Sequence, residues 1–190
     1  MRRALLISLR MAVVTIVLTG LIYPLVVWGL GTLLFPKQAA GSLVTGASGQ
    51  VVGSSLIGQD FTADKYFHGR PSAAGKGYDA MASSFSNLGP TSKTLISAVD
   101  ARVADTVKTE GATKGQIPVD MVTSSASGLD PDISPDNAAL QVARVAKARG
   151  MSADTVKQLV AQHTRGRDLG FLGEPRVNVL ELNLALDSAK

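Results

Sequence analysis

Few residues in this chain have catalytic or ligating chemistry available to them. His68 and His163 are its two histidines, and there is no cysteine. Thiolate metal sites and disulfides are therefore excluded. Neither histidine has a second histidine at helical ligand spacing, so a zinc site is not expected. Gly69-Arg-Pro-Ser-Ala-Ala-Gly75-Lys76-Gly77 resembles a phosphate loop in composition only. That pattern places four residues between its glycines and follows the lysine with a hydroxyl side chain for the metal ion. Here the spacing is one residue longer, and Gly77 replaces the hydroxyl. Asp130, Asp132, Ser134 and Asp136 have the spacing of a calcium loop, but Pro135 occupies the position where the sharp turn needs glycine. Gly53-Ser-Ser55-Leu-Ile-Gly58 misses a nucleophile elbow by one residue. The only chemistry these motifs leave open is a hydrolase triad assembled in space, which no spacing marks.

The elements that must position these residues begin with the run Met11–Pro36, MAVVTIVLTGLIYPLVVWGLGTLLFP. It carries no charge and exceeds the roughly 20 residues that cross a bilayer core. The formal net charge of +4 might suggest a nucleic-acid partner, but the placement of the charges rejects it. Arg2, Arg3, Arg10 and Lys37 are the only charges before Asp60, and they leave 15 basic residues against 15 acidic ones in the rest of the chain. The excess flanks the span, as a topology signal does. The positive-inside bias places residues 1–10 in the cytoplasm, 11–36 in the membrane, 37–50 in a linker and 51–190 in an extracytoplasmic domain. A cleaved signal peptide is the alternative; its apolar region would be only about 7–15 residues long.

Within the span, Thr15, Thr19 and Tyr23 recur every four residues and share one helix face. Gly20 and Pro24 are also four apart. Pro24 lacks the N–H that would bond the Gly20 carbonyl, so a kink is expected. A face of small and weakly polar residues is how membrane helices pack together. We read Thr15, Thr19, Gly20, Tyr23 and Pro24 as a docking face. The other reading is that each threonine bonds the carbonyl four residues before it and the helix is only an anchor.

After the linker, the pattern predicts a strand over Val51–Ile57 and a helix over Thr91–Glu110, with Leu95, Val99, Val103 and Val107 inward. It predicts a second strand over Ile117–Thr123. Ser134, Ser152 and Asn178 start three further helices, and Gly111 and Gly150 stop two. Arg176 and Val177 add a short strand. The expected fold class is a single N-terminal transmembrane helix followed by an α+β domain with a small sheet. Asp60–Pro90 is too long for an idle connection.

Several stretches together resemble one family. They are Gly20-Leu-Ile-Tyr-Pro24, Phe35-Pro36, Ala40-Gly-Ser-Leu43, Gly53-Ser-Ser-Leu-Ile-Gly-Gln59, Tyr66-Phe-His-Gly-Arg-Pro-Ser72, Ser125-Ala-Ser-Gly-Leu-Asp130, Val142-Ala-Arg-Val-Ala-Lys-Ala-Arg149 and Val177-Asn-Val-Leu-Glu-Leu-Asn-Leu-Ala-Leu-Asp187. In that order, behind one span, they resemble the C subunit of the Kdp potassium-transporting P-type ATPase over nearly the whole chain. The resemblance implies a non-catalytic subunit of an inner-membrane potassium uptake complex. Its partners would be a channel-like potassium-binding subunit and an ATP-hydrolysing P-type subunit, besides membrane lipid and without nucleic acid. It also implies a catalytic-chaperone role that raises the ATP affinity of the ATPase subunit, with ATP bound by this subunit itself. ATP is cytoplasmic and this domain is expected outside, so we expect coupling through subunit contacts, with no tightly bound cofactor. The expected partner-contact loop is Tyr66, Phe67, His68, Arg70 and Pro71. One departure stands out: Ala82-Ser83-Ser84-Phe85 replaces the family's Ala-Ser-Gly-Gly and removes two positions that adopt positive φ easily. A membrane-anchored extracytoplasmic hydrolase or binding domain is the alternative function.

Overall fold

A computed structural model describes residues 1–189. The chain divides into two units, Met1–Leu43 and Val44–Lys190. The first is dominated by one continuous helical rod, Arg2–Leu34, of 33 residues. It comprises α1 (Arg2–Ile16), a π-helical stretch (Val17–Ile22) and α2 (Tyr23–Leu34). At 1.5 Å per residue the rod is about 50 Å long, so it continues beyond the apolar run into Arg2, Arg3 and Arg10, all good helix formers. It is long and apolar enough to cross a membrane. The kink expected at Pro24 takes the form of the π stretch: the Tyr23 N–H donates to the Leu18 carbonyl, five residues back. A proline that cannot donate is accommodated by widening the turn before it. Phe35 leaves helical geometry at φ −133°, and α3 (Pro36–Ala39) adds a single turn.

Part of the expected linker is ordered structure. β1 (Leu43–Thr45) pairs with β2 (Val51–Ser54) in a two-stranded ribbon, closed by Gly46 N–H donating to the Gln50 carbonyl. β2 stops at Ser54, short of the expected Ile57. Beyond a 3₁₀ turn at Ala80–Ala82 lies α4 (Lys93–Glu110), whose N-cap Ser92 accepts from Leu95 N–H. Leu95, Val99 and Val103 are half-buried, but Val107 remains exposed and Thr106 is the fully buried member of that face.

A second 3₁₀ turn, Lys114–Gln116, leads to α5 (Val119–Val122), where a strand was expected. Alternation predicted extension, but Pro118 fits the entry to a helical turn and Thr123 closes it by donating both N–H and hydroxyl to the Val119 carbonyl. That single turn aims Asp120 at the next helix.

β3 (Asp132–Ile133) precedes α6 (Pro135–Arg149) and α7 (Ala153–Gln162). β4 (Thr164–Arg165), β5 (Arg176–Asn178) and α8 (Val179–Ser188) complete the chain. The three short strands form an antiparallel sheet in the order β3-β5-β4, with Ile133 opposite Val177 and Thr164 opposite Val177 on the other side. The core joins Ile133 and Val177 of this sheet to Val142, Val145, Val156, Leu182 and Leu186 of the helices, and includes Phe67. Gly150 ends α6 in left-handed geometry at φ +65°, so the chain can turn at once into α7. The domain is thus helical with small sheets, a more helical balance than the α+β expectation.

Candidate functional site

The segment 60–78 lacks helix and strand, yet its main chain is heavily bonded. Two amides do most of this work. Asn183 on α8 accepts from Phe67 N–H at 2.8 Å and donates to the Phe67 carbonyl at 2.9 Å. Gln141 on α6 accepts from His68 N–H at 2.8 Å and donates to the His68 carbonyl at 3.1 Å. Each amide copies one rung of a β-ladder, so two successive residues are satisfied without a neighbouring strand. Asn137 accepts from Gln141 at 2.7 Å and holds it in register. Asn137, Gln141 and Asn183 are all almost wholly buried. A polar residue on the inward stripe of an otherwise apolar helix is the signal that finds them, and reading for chemistry alone misses it.

Arg144, one turn after Gln141, extends the clamp. Its guanidinium donates to the Asp64 and Tyr66 carbonyls at 2.7 and 2.9 Å and to Glu110 at 2.7 Å. The Arg144–Glu110 pair is buried, with side chains 9% and 3% exposed, and ties α6 to α4. Arg149 donates to the Lys65 and Leu186 carbonyls and to Asp187. It also stacks over the Tyr66 ring at 5.1 Å, while the Tyr66 hydroxyl donates to Asp187.

The far end of the segment folds on 123–130. Arg70 pairs with Asp130 at 2.9 Å, and Tyr78 donates to the Arg70 carbonyl at 2.6 Å. Ser72 donates to the Gly128 carbonyl at 2.6 Å. Gly128, at φ +68°, allows this approach: a Cβ there would lie 2.7 Å from the Ala74 nitrogen. Asp130 is therefore committed to Arg70, and Asp120 supports Ser134 and Asn137 at the start of α6. Among the described residues no cluster of three or more His, Cys, Asp or Glu could hold a metal ion.

Between this segment, α4 and α6 lies an open cleft of about 640 Å³, lined among others by His68, Arg70, Tyr78, Arg102, Glu110 and Gln141. Burial, then the nearby Arg144 charge, lowers the His68 pKa against smaller opposing effects of the Ala63 carbonyl, Glu110 and Asp64. Burial, with Asp60 and Asp130 adding to it, pushes the Tyr78 hydroxyl up to about 12. His68 is thereby biased toward its neutral form. Its Nε2 faces the Ala63 carbonyl at 3.2 Å, and the His163 ring faces the Leu159 carbonyl at 2.9 Å.

The expected contact loop divides. Phe67 is wholly buried in the core and is withdrawn from any partner surface. Tyr66, His68, Arg70 and Pro71 are half-buried at the rim. In the rod, Thr19 donates to the Thr15 carbonyl at 2.7 Å, so this threonine satisfies itself within the helix. Four residues is close to one turn of either an α- or a π-helix, so Thr15, Thr19 and Tyr23 stay on one side.

The chain thus combines one helix long and apolar enough to cross a membrane with a helical domain whose buried polar residues serve its own loop. The chain belongs to the family of the c chain of the K+-transporting ATPase, whose family model matches residues 5–188. A potassium-transporting ATPase KdpC subunit from Gemmatimonas aurantiaca is 62% identical over 182 residues, covering 95% of this chain and 90% of that protein. One from Koribacter versatilis is 54% identical over 190 residues, covering 100% and 97%. One from Mycobacterium tuberculosis is 56% identical over 188 residues, covering 98% and 99%.

Proposed function

We propose that the chain is a non-catalytic, single-pass subunit of an ATP-driven potassium uptake complex, needed for assembly and activity. The observation that carries this reading is the match to the c chain family across residues 5–188 together with one membrane-length helix. The N-terminus lies in the cytoplasm and the domain outside, because the basic residues cluster before the span. The partners are a channel-like potassium-binding subunit and an ATP-hydrolysing P-type subunit. The rod's Thr15, Thr19, Gly20, Tyr23 and Pro24 side packs on a polytopic partner, and the rim residues Tyr66, His68, Arg70 and Pro71 face the external mouth of the channel subunit. Any rise in the ATP affinity of the ATPase subunit passes through these contacts, because ATP and this domain are on opposite sides of the membrane.

Replacing Thr19 and Gly20 with leucine lowers the yield of co-purified complex; unchanged yield and stoichiometry would overturn the face assignment. A cysteine at His68 is expected to crosslink to the channel subunit. Titrating ATP against the complex with and without this chain reads the affinity effect. Protection of the domain from protease added to the cytoplasmic face checks that no direct ATP contact occurs.

A further inference from the structure

The face that a helix turns toward its own domain is ordinarily apolar, and one face of α4 departs from this. Arg102, Asp105, Thr106, Thr109 and Glu110 occupy positions i, i+3, i+4, i+7 and i+8, the spacing of a single helix face, and all of them line the cleft between α4, α6 and the segment 60–78. Its volume of about 640 Å³ falls within the roughly 300–1,000 Å³ of small-molecule sites. Among the described residues, the buried side-chain atoms Glu110 Oε2 and Arg70 Nε have no hydrogen-bond partner, and both residues line this cleft. The Glu110 side chain is 3% exposed, and Arg144 bonds its Oε1. A buried polar atom left unpaired is costly, so each of the two needs an account. The terminal torsion of a glutamate is broad, and a slight turn offers Oε2 to a donor in the cleft.

The two unmet atoms have opposite roles: the carboxylate oxygen accepts and the guanidinium nitrogen donates. The charges around them are balanced. Arg70, Lys76 and Arg102 line the same cleft as Asp60, Asp105 and Glu110. Asp130 pairs with Arg70 and Arg144 with Glu110, while Lys76, Arg102, Asp60 and Asp105 enter no ion pair among the described residues. A phosphate or other plain anion would meet Asp60 and Asp105, and a lone cation would meet Lys76 and Arg102; like charges at close range repel. A small molecule carrying an ammonium and a carboxylate satisfies both signs, and both unmet atoms, at once. Phe61, Pro71 and Met121 add an apolar wall against which a side chain can lie. We propose that this cleft is a binding site for a zwitterionic amino acid. Its ammonium donates to Glu110 and Asp105 on α4, and its carboxylate accepts from Arg70 and Lys76 on the segment 60–78. Occupancy thereby ties that segment to α4.

Equilibrium dialysis of the full chain in detergent tests this, with radiolabelled L-alanine, L-leucine and L-glutamine as probes. At least one is expected to bind saturably. Its amide, which lacks the carboxylate, and its deaminated acid, which lacks the ammonium, are each expected to bind at least about tenfold more weakly. Asp105→Asn and Lys76→Gln are expected to weaken the same probe by about tenfold or more, with the melting temperature of the ligand-free chain unchanged, because neither side chain forms an ion pair of the fold. Glu110→Gln also disturbs the buried pair with Arg144, so the first two variants decide. No binding of any probe up to about 10 mM, where even a weak site fills, would overturn the proposal. Equal binding of the amide or of the deaminated acid would overturn it, since the pair of charges would then go unread. Wild-type affinity in both variants would place the probe elsewhere and overturn it too. Inorganic phosphate that binds where no amino acid does would replace it with a plain anion site.

Discussion

At the scale of residues, the domain depends on a few buried amides and one guanidinium. Asn183→Ala leaves the Phe67 N–H and carbonyl without partners in the core. Each orphaned buried group costs about 1–3 kcal/mol, so denaturant unfolding of the full chain in detergent should show a loss of roughly 2–6 kcal/mol. Arg144→Ala should cost a similar or larger amount, about 3–5 kcal/mol, because it strands the buried Glu110 carboxylate. His68 adds a pH dependence. Its folded pKa lies below the ordinary 6.5, so the unfolded chain takes the proton more readily. Stability is therefore full above pH 6.5 and falls as pH drops through that value. Asp132, whose carboxyl burial raises, contributes with the opposite sign. The melting temperature measured between about pH 7 and 5 should fall for the wild type and fall less steeply for His68→Gln.

At the scale of elements, the caps make the sequence legible and long-range pairing makes it opaque. Ser92, Ser134, Ser152 and Asn178 each accept from the N–H three residues on, as their residue types predict. Ser134→Ala should cost about 1 kcal/mol of cap energy. Asp120→Ala should cost more, because Asp120 accepts from both Ser134 and Asn137, and thermal unfolding of the two variants ranks them. Sequence alternation around Asp120 pointed to a strand because nothing local reveals that no partner strand exists there. The single helical turn was decided by Pro118 and Thr123. The clamps were equally hidden: Asn183 is 116 residues from Phe67, and Gln141 is 73 from His68. The Ser84–Phe85 departure from the family glycines strains nothing, since neither residue adopts positive φ and Asn87, at φ +54°, takes that geometry.

At the scale of the whole molecule, the span, its flanking charge and the family were legible, because each depends on composition or order along the chain. Replacing Arg2, Arg3 and Arg10 with glutamate should raise the fraction of inverted molecules, read by which side of the membrane exposes the domain to protease. The segment 60–78 and the rim of the site were not legible, because their shape is imposed by side chains from α6 and α8. That arrangement has a mutational consequence. Asn183 and Gln141 grip only N–H and carbonyl groups, which every residue except proline supplies at their donor positions. At residues 67 and 68 the main chain is thus held whichever side chain the position carries, whereas Tyr66, Arg70 and Ser72 keep side-chain contacts of their own. A change of side chain at position 68 therefore leaves the path of the loop intact, whereas a change at Tyr66 or Arg70 also removes a contact of the fold.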